Sequence, residues 1–188
     1  DRVRTYLRTM AGAHFNEPLV NAFIDNAPRV ADFFLDETAV RMFCPAYGSD
    51  YHPELPGGIE VGRALYTEPY DGRQLGDYFS KLAPQLPELC VFGIMPQLGE
   101  ELVHFLGAKH SLRSASYVAK LVIRRSYDQL VYGRSTRLTN GEALVGRLVR
   151  SALDRSIPLW TSAPLRELII RDGVVTGAVL DSPSGKLT

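Results

Sequence analysis

Four tyrosines, Tyr47, Tyr51, Tyr66 and Tyr70, fall in one stretch rich in glycine and proline. A phenol can donate a proton, act as a base when its pKa is lowered, or polarise a carbonyl. Loops held stiff by proline are where such groups are presented to ligands. The most rigid part reads Ser49-Asp50-Tyr51-His52-Pro53-Glu54-Leu55-Pro56-Gly57-Gly58, followed by Ile59-Glu60-Val61-Gly62-Arg63. The plainer reading is that the rings cover core edges with their hydroxyls in water, and that the loop only reverses the chain. On composition alone the plainer reading leads.

The other reactive residue types give weaker patterns. His104 and His110 match no compact metal-ligand spacing, and His14 and His52 stand alone, so no metal site is expected. Cys44 and Cys90 are too few for a disulfide framework or a zinc site and have no recognisable catalytic context. No Gly-x-Ser-x-Gly nucleophile elbow is present. Lys120, Arg124, Arg125, Arg134 and Arg137 read as a solvated basic face, with room for one arginine near a helix end to point into a site. Gly57-Gly58 and Asn140-Gly141 do not fit Gly-x-Gly-x-x-Gly, so the chain has no dinucleotide fingerprint of its own.

The bulk properties bound the class. The 188 residues suffice for one sizeable core, or for one domain and part of another. Hydrophobic content of 45% and charged content of 22% are those of a soluble globular protein. Basic and acidic residues balance at 21 each, which speaks against a dedicated nucleic-acid partner. No apolar run reaches the ~20 residues that span a bilayer, and reduced thiols point to a cytoplasmic protein.

These residues are positioned by helices first and strands later. Arg2–Leu7 reads as a helix in progress. Asn16 is a cap, Glu17 and Pro18 suit a first turn, and Leu19, Val20, Phe23 and Ile24 form an apolar stripe. Pro28 is expected to break or kink that helix, with Val30, Phe33 and Phe34 as the buried face of the next. A short strand over Ala64–Thr67 ends at the turn signal Asp71-Gly72, and residues 74–98 read as irregular. Helices follow over Gln97–Leu106, over Leu112–Val131 with Gly133 as its end, and over Glu142–Asp154 capped by Thr139 or Asn140. The tail reads as strands Ile157–Trp160, Leu165–Arg171 and Val174–Leu180, with Asp172-Gly173 as a hairpin turn and another strand beginning at Lys186. A chain that stops as a strand starts reads as a piece of a longer protein. The fold class is α/β, an α+β-like fragment.

The order of these features is informative. It runs from Tyr6-Leu7 through Val20-Asn21-Ala22-Phe23-Ile24-Asp25-Asn26-Ala27-Pro28-Arg29-Val30-Ala31-Asp32-Phe33-Phe34 to the Asp50–Gly58 loop with Gly62-Arg63. Then come Asn140-Gly141-Glu142-Ala143-Leu144-Val145 and the hairpin Leu168–Ala178. This order resembles the fumarate reductase/succinate dehydrogenase-like FAD flavoproteins, and among them the 3-ketosteroid Δ1-dehydrogenase branch. The hairpin is shared by many FAD oxidoreductases, whereas the tyrosine–proline–glycine loop followed by Gly-Arg points to the steroid branch.

The resemblance implies a chain internal to an FAD-binding domain, with a mostly helical insertion at 1–138 bordering the substrate and a helix plus β-meander at 139–188. The family's phosphate-binding Gly-x-Gly-x-x-Gly helix, its Ala-Thr-Gly-Gly segment and its substrate domain lie outside it. FAD is therefore implied as the full-length protein's cofactor, and tight binding by this chain alone is not expected. The implied chemistry is CH–CH dehydrogenation of a ketosteroid-like or enone small molecule, with hydride passing to flavin N5. Tyr51, or in second place Tyr47, is the counterpart of the family's proton-handling tyrosine. The main chain of Leu165 is the expected adenine contact. The electron acceptor is left open. The alternatives are a fumarate reductase or tricarballylate-type dehydrogenase acting on dicarboxylates, and a non-catalytic small-molecule binding module.

Overall fold

The computed structural model describes residues 1–46, 48–182 and 185–187. They form helices with small antiparallel sheets, in two compact units, Asp1–Ser151 and Ala152–Thr188. The expected functional division at 138/139 is a separate matter from this division by compactness.

In the first unit, α1 (Arg2–Ala11) is capped by Asp1, and α2 (Glu17–Glu37) by Asn16, whose Oδ1 accepts from the Leu19 N–H at 3.2 Å. Pro28 does not end α2, which runs through it. A proline removes one backbone donor, and the remaining turns on both sides hold the helix. The half-buried face of α2 is Val20, Ile24, Ala27, Ala31 and Phe34. Val30 and Phe33, expected to be buried, are 50% and 55% exposed, and Leu19 and Phe23 are exposed with them.

Strands β1 (Met42–Phe43) and β2 (Tyr66–Thr67) pair antiparallel, with the Phe43 and Tyr66 rings edge-on. The expected strand at Ala64–Thr67 is thus only two residues long. Strand β3 (Tyr70–Asp71) pairs antiparallel with β4 (Arg137–Leu138). Residues 74–98 contain more order than expected. A 3₁₀ stretch covers Gly72–Lys81, interrupted at Gly76, and a short turn covers Pro87–Leu89.

Helix α3 (Glu100–Gly107) starts three residues later than its apolar pattern suggests, after Gly99 at φ 105°. Helix α4 (Leu112–Tyr132) ends at Gly133, whose φ of 71° is the left-handed C-terminal geometry that glycine adopts without a Cβ penalty. Helix α5 (Asn140–Asp154) is not capped by a side chain of Thr139 or Asn140 as expected. Those side chains bond across the fold instead: Thr139 Oγ1 donates to Met95 O, and Asn140 bonds the Pro96–Leu98 segment.

The core of this unit lies where β3 and β4 meet α5. Tyr70, Leu75, Leu138 and Ala143 are buried, with Tyr78, Phe79, Leu82 and Val149 packed on them. Gly146 lets α5 approach, since a Cβ there would sit 3.0 Å from Leu138 Cδ1. Arg147 closes the edge by donating to the carbonyls of Ala39 and Pro69 at 2.9 and 3.0 Å, with its guanidinium over the Tyr70 ring. Burial pushes its pKa down, and the Glu68 carboxylate opposes that shift.

The second unit is a meander of β5 (Leu165–Arg171), β6 (Val174–Ser182) and β7 (Gly185–Leu187), antiparallel in the order β5-β6-β7. Asp172 and Gly173, at φ 50° and 76°, form the tight turn their sequence predicts. Ile157–Trp160 is not a strand, because none of the described segments pairs with it.

Candidate functional site

Three features of the first unit bear on chemistry: the tyrosine loop, a buried polar cluster and the clefts beside it. The loop is fastened at both ends by Asp50. Its N–H donates to Ile59 O at 3.0 Å, and its carboxylate accepts from the Ile59 N–H and, at 2.6 Å, from Arg63 Nη1. Arg63 also donates to Gly57 O and lies over the Tyr6 ring, while Arg2 donates to Gly58 O. The glycines are explained by this docking. A Cβ on Gly57 would stand 2.3 Å from Arg2 O and 2.7 Å from the Tyr6 nitrogen, at a φ of 82° that disfavours any side chain.

Gly57→Ala is therefore expected to lift the loop from α1 at a cost of about 2 kcal/mol or more. Faster protease cleavage within residues 48–63 of the full-length protein is the readout. An unchanged digestion pattern would show that the docking matters little.

The loop holds Tyr51 outward, 97% exposed. Tyr47, the second candidate, lies outside the described residues. Tyr66 packs in the β1–β2 pair and Tyr70 is a core residue, so these two are structural. Leu165 opens β5 in the second unit, paired with Leu180. His52 bonds Glu54 on the loop surface, where a backbone hydrogen bond, then the His52 contact, lowers the Glu54 pKa. Among the described residues no group of His, Cys, Asp and Glu gathers in a way that would hold a metal.

The sequence reading missed the buried cluster around Glu101. Glu101 Oε2 accepts from Tyr117 Oη and from Arg137 Nη2, both at 2.7 Å, and its Oε1 accepts from the Gln97 N–H at 2.9 Å. The side chains of Glu101 and Arg137 are only 6% and 15% exposed. Burial, then the bond to Glu101, pushes the Tyr117 phenol up to about 12, so it keeps its proton and donates it. His104 stacks on Tyr117 and bonds Ser114. By its spacing Tyr117 is one of the apolar positions of α4, and Arg137 belongs to the basic residues that read as a solvated face. Nothing in the local spacing announces the cluster: Glu101 follows Glu100 in the acidic first turn of α3, and Arg137 lies in the polar stretch 134–140.

The cluster borders a cleft of about 470 Å³ lined by Phe43–Ala46, Pro69, Gln97, Leu98, Glu100, Tyr117 and Arg137. Leu98 also lines a second, drier cleft of about 570 Å³, walled by Leu86, Leu89, Val91, Met95 and Leu102, with Asn140, Gly141 and Glu142 at one side. Desolvation raises the Glu142 pKa, against the hydrogen bond from Gln85 and the charge of Arg134.

A family profile described as an FAD binding domain matches residues 1–188. The chain belongs to that FAD-binding family. It is 38% identical over 180 residues to 4-oxocyclohex-2-ene-1-carboxylate 5-dehydrogenase of Sinomonas cyclohexanicum, covering 95% of this chain and 30% of that protein. It is 28% identical over 183 residues to 3-oxosteroid 1-dehydrogenase of Mycobacterium tuberculosis, covering 94% of this chain and 31% of that protein. The FAD-binding chain thus spans about a third of the length of these curated relatives. A crystal structure of 3-ketosteroid delta1-dehydrogenase from Sterolibacterium denitrificans, in complex with 1,4-androstadiene-3,17-dione, has the same fold. It aligns with a TM-score of 0.84 at 24% identity, over 100% of this chain and 34% of that one.

The residues present fit one end of the cofactor. The dry cleft at the start of α5 suits a flat apolar ring, and Gly141 leaves its backbone open, since a Cβ there would meet nothing within 4 Å. The phosphate end has no cradle here, as the chain lacks the glycine fingerprint that would surround a pyrophosphate.

Proposed function

We propose that this FAD-binding chain is part of a CH–CH dehydrogenase acting on a ketosteroid-like or related enone small molecule. The family match over every residue, with relatives named for oxosteroid and oxocyclohexene dehydrogenation, carries the reading. FAD, when bound, supplies the acceptor for the hydride that leaves one substrate carbon. The proton from the adjacent carbon goes to a protein oxygen, and in this reading that oxygen is Tyr51 Oη in its deprotonated form, which the step returns to the neutral phenol.

The loop supports the assignment, because it holds the ring clear of the protein on a frame fixed by Asp50, Arg63 and Gly57. Tyr47 is the second candidate. Residues 1–138 border the substrate, 139–188 return to the nucleotide-binding layer, and the Leu165 main chain faces the adenine. None of the described helices is long and apolar enough to cross a membrane, and we assign the enzyme to the cytoplasm.

Purification of the full-length protein tests the reading. It is expected to carry flavin absorbance and to reduce an artificial electron acceptor with 3-ketosteroids or cyclic enones. A colourless protein that takes up no FAD overturns the reading. Turnover confined to dicarboxylates would favour the fumarate reductase or tricarballylate-type alternative.

A further inference from the structure

We infer that the cleft beside Phe43–Ala46 recognises an uncharged carbonyl oxygen carried on an apolar ring, with Gln97 as the specificity-determining donor. This rests on the dehydrogenase reading above and narrows its substrate class. The walls are apolar at Phe43, Pro45, Pro69 and Leu98. At the polar end the buried groups are already committed. Arg137 and Tyr117 both donate to Glu101, and the second oxygen of Glu101 takes the Gln97 backbone N–H.

The Gln97 side chain is the exception. The residue is 5% exposed, its Oε1 accepts from the Asn140 N–H at 3.3 Å, and its Nε2 has no partner. The Asn140 N–H requires the oxygen on its side, so the amide orientation follows from the network. An unpaired amide donor in a buried setting costs free energy, which an acceptor brought to Nε2 returns while Oε1 keeps the Asn140 N–H.

Charge then separates one kind of acceptor from another. The Glu101 carboxylate and the Arg137 guanidinium cancel as an ion pair, which leaves the Glu100 carboxylate as the net charge bordering the cleft. A substrate carboxylate entering there meets repulsion with no uncommitted cation among the lining side chains. A ketone or ester oxygen meets a donor and no repulsion.

The test uses the full-length flavin-loaded protein with two probes that share the ring ketone and differ in charge and one methyl group, 4-oxocyclohex-2-ene-1-carboxylate and its methyl ester. Calorimetric titration is expected to give the ester a roughly tenfold or greater advantage in Kd. Gln97→Glu, which keeps the acceptor for Asn140, and Gln97→Leu are each expected to weaken ester binding roughly tenfold. Flavin absorbance and melting temperature report whether these variants fold. Equal Kd values for the two probes, or unchanged ester affinity in folded variants, overturns the inference.

If both variants lose the fold, the Gln97 side-chain amide resonance in ¹⁵N-glutamine-labelled wild-type protein decides. A shift on adding ester supports the assignment, and an unmoved resonance overturns it. A flavin-loaded, ketone-oxidising protein without the charge preference defeats only this inference. A flavin-free protein defeats the dehydrogenase reading itself.

Discussion

Tyr51→Phe in the full-length protein is expected to lower turnover by roughly 10²–10⁴-fold, the range for losing a positioned proton-transfer group, with flavin content unchanged. The substitution removes one oxygen and keeps the ring. At 97% exposure the hydroxyl contributes nothing to the packing of this chain, so stability should change by less than about 0.5 kcal/mol. The bonds that hold the loop come from Asp50, Arg63 and Arg2, and none involves the Tyr51 side chain. A lost rate with retained flavin therefore reports on the phenol and not on the frame. Steady-state kinetics with a 3-ketosteroid and an artificial acceptor is the measurement. Unchanged turnover removes Tyr51 from the mechanism and moves the same test to Tyr47.

Glu101→Ala is expected to cost about 3–5 kcal/mol of stability. The change strands three donors at once: Tyr117 Oη, Arg137 Nη2 and the Gln97 N–H. It also leaves the Arg137 guanidinium, 15% exposed, without its counter-charge. Glu101→Gln keeps the shape and part of the bonding and should cost less. Urea unfolding of the full-length protein, followed by circular dichroism, is the readout, and a loss below about 1 kcal/mol would show that the cluster contributes little.

A pH signature accompanies the cluster. The folded protein holds the Tyr117 proton to about pH 12, whereas the unfolded chain releases it near the ordinary 10.0. This contribution is therefore complete below pH 10 and is lost as pH rises between those values. The alkaline loss should shrink in Glu101→Ala.

What could be read in advance follows the range of the interactions involved. The Asn16 cap, the Gly133 stop and the Asp172-Gly173 turn were legible, because each depends on backbone angles and hydrogen bonds within a few residues. The Ile157–Trp160 strand failed because a strand requires a partner, and local propensity cannot supply one. Pro28 failed in the other direction, since one missing donor was outweighed by the turns around it.

On α2 the apolar character of Val30 and Phe33 was plain, but not what covers them. Nothing among the described residues buries them, in a chain that spans about a third of its relatives' length.

The candidate site divides along the same line. The sequence by itself determined the family, through the order of its motifs along the chain, and also the rigid tyrosine loop and the absence of a phosphate-binding fingerprint, which are each properties of a short run of residues. Only the tertiary structure decided that Gly57 docks on α1, that Tyr70 is core while Tyr51 is free, and that Gln97, Glu101, Tyr117 and Arg137 meet in one buried cluster. Those four residues come from three elements and the segment before α3. Burial and hydrogen-bond partnership arise only when the elements pack, so no spacing along the chain could have announced them.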